Sequence, residues 1–152
     1  MADSIEKKIL AAFETLIGSL TFVKTVNYKR IRINLADFEP HEIPGVQIYD
    51  NGQVFEHNLP NIDGGWSIIV ELFQKTNPDS SHDVDLLLDR KFEIETKIGN
   101  NNRLGITPVA TDGQVKHVKY VGATTNLYML DGMSVAFLEF QVLFRKPYVS
   151  VC

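Results

Sequence analysis

The fold of this chain turns on one stretch, NLPNIDGGWSIIVEL, residues Asn58 to Leu72. Its second half alternates: Trp66, Ile68, Val70 and Leu72 fall on one side of an extended chain, Ser67, Ile69, Glu71 and Phe73 on the other. Strand side chains point to opposite faces in turn, so this is a β-strand with the sole tryptophan on an apolar face. Ahead of it, Asp63-Gly64-Gly65 is a composition that holds metals, cradles phosphate or turns a chain. A phosphate-binding glycine loop empties into a helix N-terminus, where N–H groups and the dipole converge on the anion. This one empties into a strand, so it is read as a turn or flexible loop whose glycines supply positive φ. The polar segment 50 to 65 then becomes a contact arm between two strands, and Trp66 a core anchor at its root.

Residues 4 to 17 place Ile5, Ile9, Ala12, Phe13, Leu16 and Ile17 on one stripe of 3.6-residue period, an amphipathic helix. Asp3 is its expected N-cap, with Glu6 three residues on, and Gly18 its stop. Thr21 to Ile33 is rich in β-branched and aromatic residues and reads as a strand; the segment that follows, with Pro40 and Pro44, reads as a crossing. Gly45 to Tyr49 is the next strand, closed by an Asp50-Asn51-Gly52 turn, with Gln53 to His57 returning as a short edge strand. After the Trp66 strand, Asn77 to Ser81 starts a helix over 81 to 98. Its Val84, Leu87, Leu88, Phe92, Ile94 and Ile98 fit one wide arc, and Gly99 ends it. A long connection, 99 to 116, leads to strands at His117 to Ala123 and Met133 to Arg145, the latter with Ala136, Leu138, Phe140, Val142 and Phe144 in alternation. The order helix-strands-helix-strands predicts an α+β fold: a mostly antiparallel four- to five-stranded sheet with two helices packed on one face. One domain over 1 to 152 is expected, with 146 to 152 as a flexible tail.

The bulk numbers agree with one core. The 152 residues are 44% hydrophobic and 22% charged, an ordinary globular balance, and a chain of this size buries roughly two thirds of the surface its unfolded form exposes. A net charge of −4 argues against a protein whose main work is wrapping nucleic acid. The one cysteine, Cys152, allows neither an internal disulfide nor a cysteine zinc site. The acidic N-terminus does not read as a signal peptide, and no apolar run approaches the roughly 20 residues that span a bilayer.

Several clusters invite a chemical reading. His82-Asp83 with Asp79 and Asp85 resembles a metal set on paper, but acidic residues at a helix start are stabilised by the dipole, by about 0.3–1 kcal/mol each, so capping is the better account. His41-Glu42 and Glu56-His57 lack HExxH spacing and a third ligand. No nucleophile elbow, Walker loop or dinucleotide fingerprint is present, so an enzyme is not expected, nor a cofactor. Lys24, Lys29, Arg30 and Arg32 around Tyr28 read as a charged, protected edge, with a nucleic-acid or acidic-partner surface as the alternative. Lys91 and Glu95 interrupt the apolar arc of the second helix, and Val135, Phe137 and Leu143 make the far face of the last strand apolar too. Such a face, left open by helices on one side only, marks assembly.

The layout resembles the tail terminator proteins of long-tailed bacteriophages. The resembling residues are Glu42-Ile43-Pro44-Gly45-Val46-Gln47-Ile48-Tyr49, the polar segment 50 to 65, Trp66 to Phe73, the 79 to 98 helix and Leu138-Glu139-Phe140-Gln141-Val142-Leu143-Phe144. The resemblance implies a homohexameric ring, in some cases monomeric before assembly, that ends polymerisation of the tail tube and offers a surface to a head-completion or neck protein. It implies a virion location at the head-proximal end of the tail, assembly in the host cytoplasm, and genomic DNA passing through the lumen without sequence-specific binding. It implies no catalysis, no cofactor and no membrane. The expected subunit or tube interface comprises Tyr49, Phe55, Asp63, Lys91, Glu95, Val135, Phe137 and Leu143. Another head- or tail-completion protein of the same size, or a small nucleic-acid or ligand-binding module, is the alternative.

Overall fold

The structure, a computed structural model, describes residues 4–28, 33–75, 81–109, 113–126 and 132–147, with backbone only at 81 and 82. Its elements are α1 (Ile5–Gly18), β1 (Thr25–Asn27), β2 (Gly45–Asn58), β3 (Asn61–Lys75), α2 (Ser81–Gly99), β4 (Gln114–Asn126) and β5 (Met133–Pro147). The strands form one sheet in the order β1-β2-β3-β5-β4. The expected mostly antiparallel sheet is corrected to a mixed one: β1 lies parallel to β2, Val26 opposite Val46, while the other pairs are antiparallel. Parallel pairing requires a crossover of a dozen or more residues, and the stretch from Asn27 to Gly45 is long enough to supply it.

α1 forms where its stripe predicts, burying Ile5, Ile9, Phe13 and Ile17, with Ala12 and Leu16 at the margin. Its N-cap is Ser4, whose Oγ accepts from the Lys7 N–H at 3.2 Å; the expected cap, Asp3, lies outside the described residues. α2 buries Leu87, Ile94 and Ile98 but turns Leu88 and Phe92 outward. The wide arc read from sequence is therefore narrower, because only Leu87 and the positions seven and eleven residues after it are fully buried against the sheet. Both helices cover one sheet face, where Ile48, Ile68, Val70, Leu138 and Phe140 complete the main core.

The strand expected over Thr21 to Ile33 shortens to β1, with 29–32 outside the described residues. The Asp50-Asn51-Gly52 turn is overturned. β2 runs straight through it, with a bulge between Asp50 and Gln53, a positive φ of 106° at Gly52 and the Asp50 carboxylate accepting from the Gly52 N–H at 2.8 Å. A turn-forming tripeptide serves equally well as the extra residues of a bulge, since both need the same local backbone. The Asp63-Gly64-Gly65 turn or loop is overturned as well. These residues lie inside β3, paired to both neighbours, and the chain reverses at Leu59-Pro60 between Asn58 and Asn61. The arm 50 to 65 is thus a continuous hairpin, not a loop.

Opposite the helices, residues 33–44 fold back as two 3-10 turns, Leu35–Asp37 and Pro40–Glu42. Leu35 packs there with Phe73, Met133 and Val135 in a second small core, flanked by Phe38, Ile43 and Phe137.

Candidate functional site

The eight residues expected at an interface do not form one patch. Val135 is fully buried in the second core and Phe137 half-buried against it. The apolar far face of β5 is therefore covered, at this end, by the chain's own 33–44 segment, a correction to the reading that it awaits another subunit. Nothing in the alternation of β5 discloses this, because the covering residues come from a distant irregular stretch. Leu143 lies further along the same face, half-buried, opposite Gly65 and His117.

Tyr49 is part of a polar network behind that second core. Its hydroxyl donates to Glu71 Oε1 at 3.2 Å, and Glu71 Oε2 accepts from Gln47 Nε2 at 3.1 Å. Gln47 also donates to the Ile33 carbonyl at 2.9 Å and accepts from the Ile33 N–H at 2.8 Å and from Asn27 Nδ2 at 3.2 Å. Glu71 and Gln47 are fully buried. Such groups need these hydrogen bonds, since a buried polar atom left unmade costs more than a made one gains. The network pins β1 and residue 33 onto β2 and β3, and Tyr49 serves the fold at this position.

Asp63 ties the distal hairpin to β5. Arg145 grips it with two bonds, Nε to Oδ1 at 2.7 Å and Nη2 to Oδ2 at 3.1 Å. Asn58 Nδ2 donates to Oδ2 at 2.8 Å, and Lys116 Nζ lies 3.9 Å from Oδ1. The Arg145 and Asn58 hydrogen bonds, outweighing partial burial, hold the Asp63 carboxyl well below the usual carboxylate range. One residue on, Gly64 leaves room for the Phe144 ring, a close approach that a Cβ would forbid. Phe55 then meets Phe144 edge-on at 6.2 Å, with Lys146 Nζ 5.0 Å over the Phe55 ring and paired to Glu6 of α1 at 2.7 Å. Trp66, 5% exposed, is the anchor its register predicts, and its indole N–H donates to Asp50 Oδ1 at 2.7 Å.

Lys91 and Glu95 pair with each other at 2.6 Å beside Tyr120, whose ring stacks on Phe140 at 5.1 Å. The Glu95 hydrogen bond holds the Lys91 ammonium above its ordinary range, and burial raises the Tyr120 phenol. This pair caps the core between α2 and β4.

What the structure does expose was less visible in sequence. Residues 51 to 60 are all exposed, with Val54 at 75% and Leu59 at 74%. On α2, Phe92 is 66% exposed beside Leu20, Thr96 and Lys97. A groove of about 990 Å³ separates α1 from residues 104 to 109. Leu104, buried at a positive φ of 57°, and Ile106 form part of its wall, so this part of the 99–116 connection packs against the core.

Of the paper metal set, Asp79 and the His82 side chain lie outside the described residues, as do Lys29, Arg30, Arg32 and Cys152. Among the described residues no group of three His, Cys, Asp or Glu is placed to hold a metal, and no described helix is long and apolar enough to cross a membrane. Lys146 and Pro147, expected in a flexible tail, are the last residues of β5.

No protein-family model matches the chain, and no curated protein matches it. Among solved structures, 31 chains match. One is a chain from the virion of a native gene transfer agent particle, similar over 95% of this chain and 99% of that one, with a TM-score of 0.56 and 8% identity. At that identity the likeness shows a shared fold, spanning both chains almost end to end.

Proposed function

We propose that this chain is a structural virion protein that ends a phage-type tail tube as a ring at its head-proximal end. The carrying observation is the near end-to-end likeness to a chain of a gene transfer agent virion. The resemblance of residues 42–73 and 138–144 to tail terminators supports the finer role. So does the hairpin, which leaves Val54, Phe55 and Leu59 exposed within six residues. The ring acts by surface complementarity, without catalysis or cofactor. One face meets the tail tube protein and the other a head-completion or neck protein, with the genome passing through the lumen.

The test mixes the purified chain with polymerising tube subunits and images the products by electron microscopy. Tubes of limited length carrying a six-fold ring at one end are expected. Tubes that grow unchecked with bare ends would sink the reading; a monomer in the absence of tubes would not.

A further inference from the structure

Two exposed apolar features complement each other. The distal hairpin presents Leu59 at its reversal and Val54 further back on β2, opposite Gly65, each about three-quarters exposed, and carries Glu56 with no lysine or arginine between Asp50 and Asp63. The groove between α1 and residues 104 to 109 is lined by Leu10, Ala11, Leu16 and Ile106, with Lys7 and Lys8 along α1. It is a groove and not an enclosed cavity, which suits an exposed chain segment better than an enclosed small ligand.

We propose that the distal hairpin of one copy, residues 54 to 59, seats in this groove of the next copy, with Leu59 and Val54 on the apolar wall and Glu56 toward Lys7 and Lys8. Val54 and Glu56 share a face of β2, since they pair with Gly65 and Asp63, so both reach the groove together. The chain's own tip does not fill its own groove, because Val54 and Leu59 are exposed. Edge-to-edge strand pairing is the competing route to self-assembly. The two sheet edges, β4 and β2 beyond its short pairing with β1, are both interrupted by bulges, and β4 is interrupted twice. Bulges twist an edge away from a new partner. Tip and groove are different patches, so the contact is head-to-tail, the kind that closes rings. This inference rests on the self-assembly premise of the function proposed above and specifies its contact.

The test uses full-length chains in a Cys152→Ser background. Leu59→Cys chains are mixed with Ala11→Cys or Thr107→Cys chains, alone and with tube subunits, and oxidised; all three positions are exposed, so folding is undisturbed. Mixed-chain disulfides should exceed those of Leu59→Cys with a Glu93→Cys control by about tenfold or more, because docking raises the effective thiol concentration. No excess over the control in either setting overturns the proposal, even if rings cap tubes. Excess linking without tube capping upholds it and defeats the tail role instead.

Discussion

Gly64→Ala tests the packing of the hairpin against β5 most directly. Gly64 of β3 pairs with Phe144 of β5, and a Cβ built on it would lie 2.5 Å from Phe144 Cζ and 2.8 Å from Cε1. Contacts that short do not occur, so the ring must move. It is fully buried and has Phe55 edge-on against it at 6.2 Å, so it moves within a packed site. Overpacking of this kind costs about 1–3 kcal/mol, against a gain of about 0.5–1 kcal/mol for alanine over glycine in a strand. The net expectation is a destabilisation of about 1–2 kcal/mol, or a urea midpoint lower by roughly 0.5–1 M at a slope of about 2 kcal/mol/M. Gly65→Ala is the internal control. Its Cβ would meet only the end of the Gln141 side chain, 3.1 Å away, and Leu143 at 3.6 Å, so it should stay within about 0.5 kcal/mol of the parent or gain. In a Phe144→Leu background the Gly64→Ala cost should shrink, since the two sites share one contact. Equal midpoints for Gly64→Ala and Gly65→Ala would refute the reasoning, because the close ring approach would then not exist.

Three further outcomes follow from the same structure. Asp50→Ala removes the acceptor of both the Trp66 indole and the Gly52 N–H; it should cost about 1–2 kcal/mol and shift Trp66 emission to the red, whereas an unchanged spectrum would contradict the bond. Leu87→Ala should cost about 2–5 kcal/mol by cavity formation, while Phe92→Ser, on the outward side of α2, should stay within about 0.5 kcal/mol; thermal melts that reverse this order would put α2 in another register. The lowered carboxyl of Asp63 contributes stability that is fully present above about pH 4, where the unfolded carboxylate is charged, and declines as pH falls below that towards the folded value. Asp63→Asn should therefore lower the urea midpoint more at about pH 7 than at about pH 2.5. An equal loss at both would exclude the Arg145 ion pair as the cause.

Local periodicity determined much of this protein. The stripe of Ile5, Ile9, Phe13 and Ile17 defines α1 and its buried face, and the alternation from Trp66 to Leu72 and from Ala136 to Phe144 defines two central strands and which side of each is core. These are properties of residues a few positions apart, which a single sequence displays. The tertiary structure alone decided what depends on partners far along the chain. It made β1 parallel to β2, turned Asp50-Asn51-Gly52 into a bulge of β2, drew Asp63-Gly64-Gly65 into a paired strand, and covered Val135 with Leu35 and Phe38. A turn-prone tripeptide becomes strand when a neighbouring strand satisfies its backbone hydrogen bonds, and an apolar strand face becomes core or surface according to what folds over it. The surfaces offered for assembly, the hairpin tip and the groove beside α1, belong to this second kind, because exposure is set by the whole fold and not by any residue's own preference.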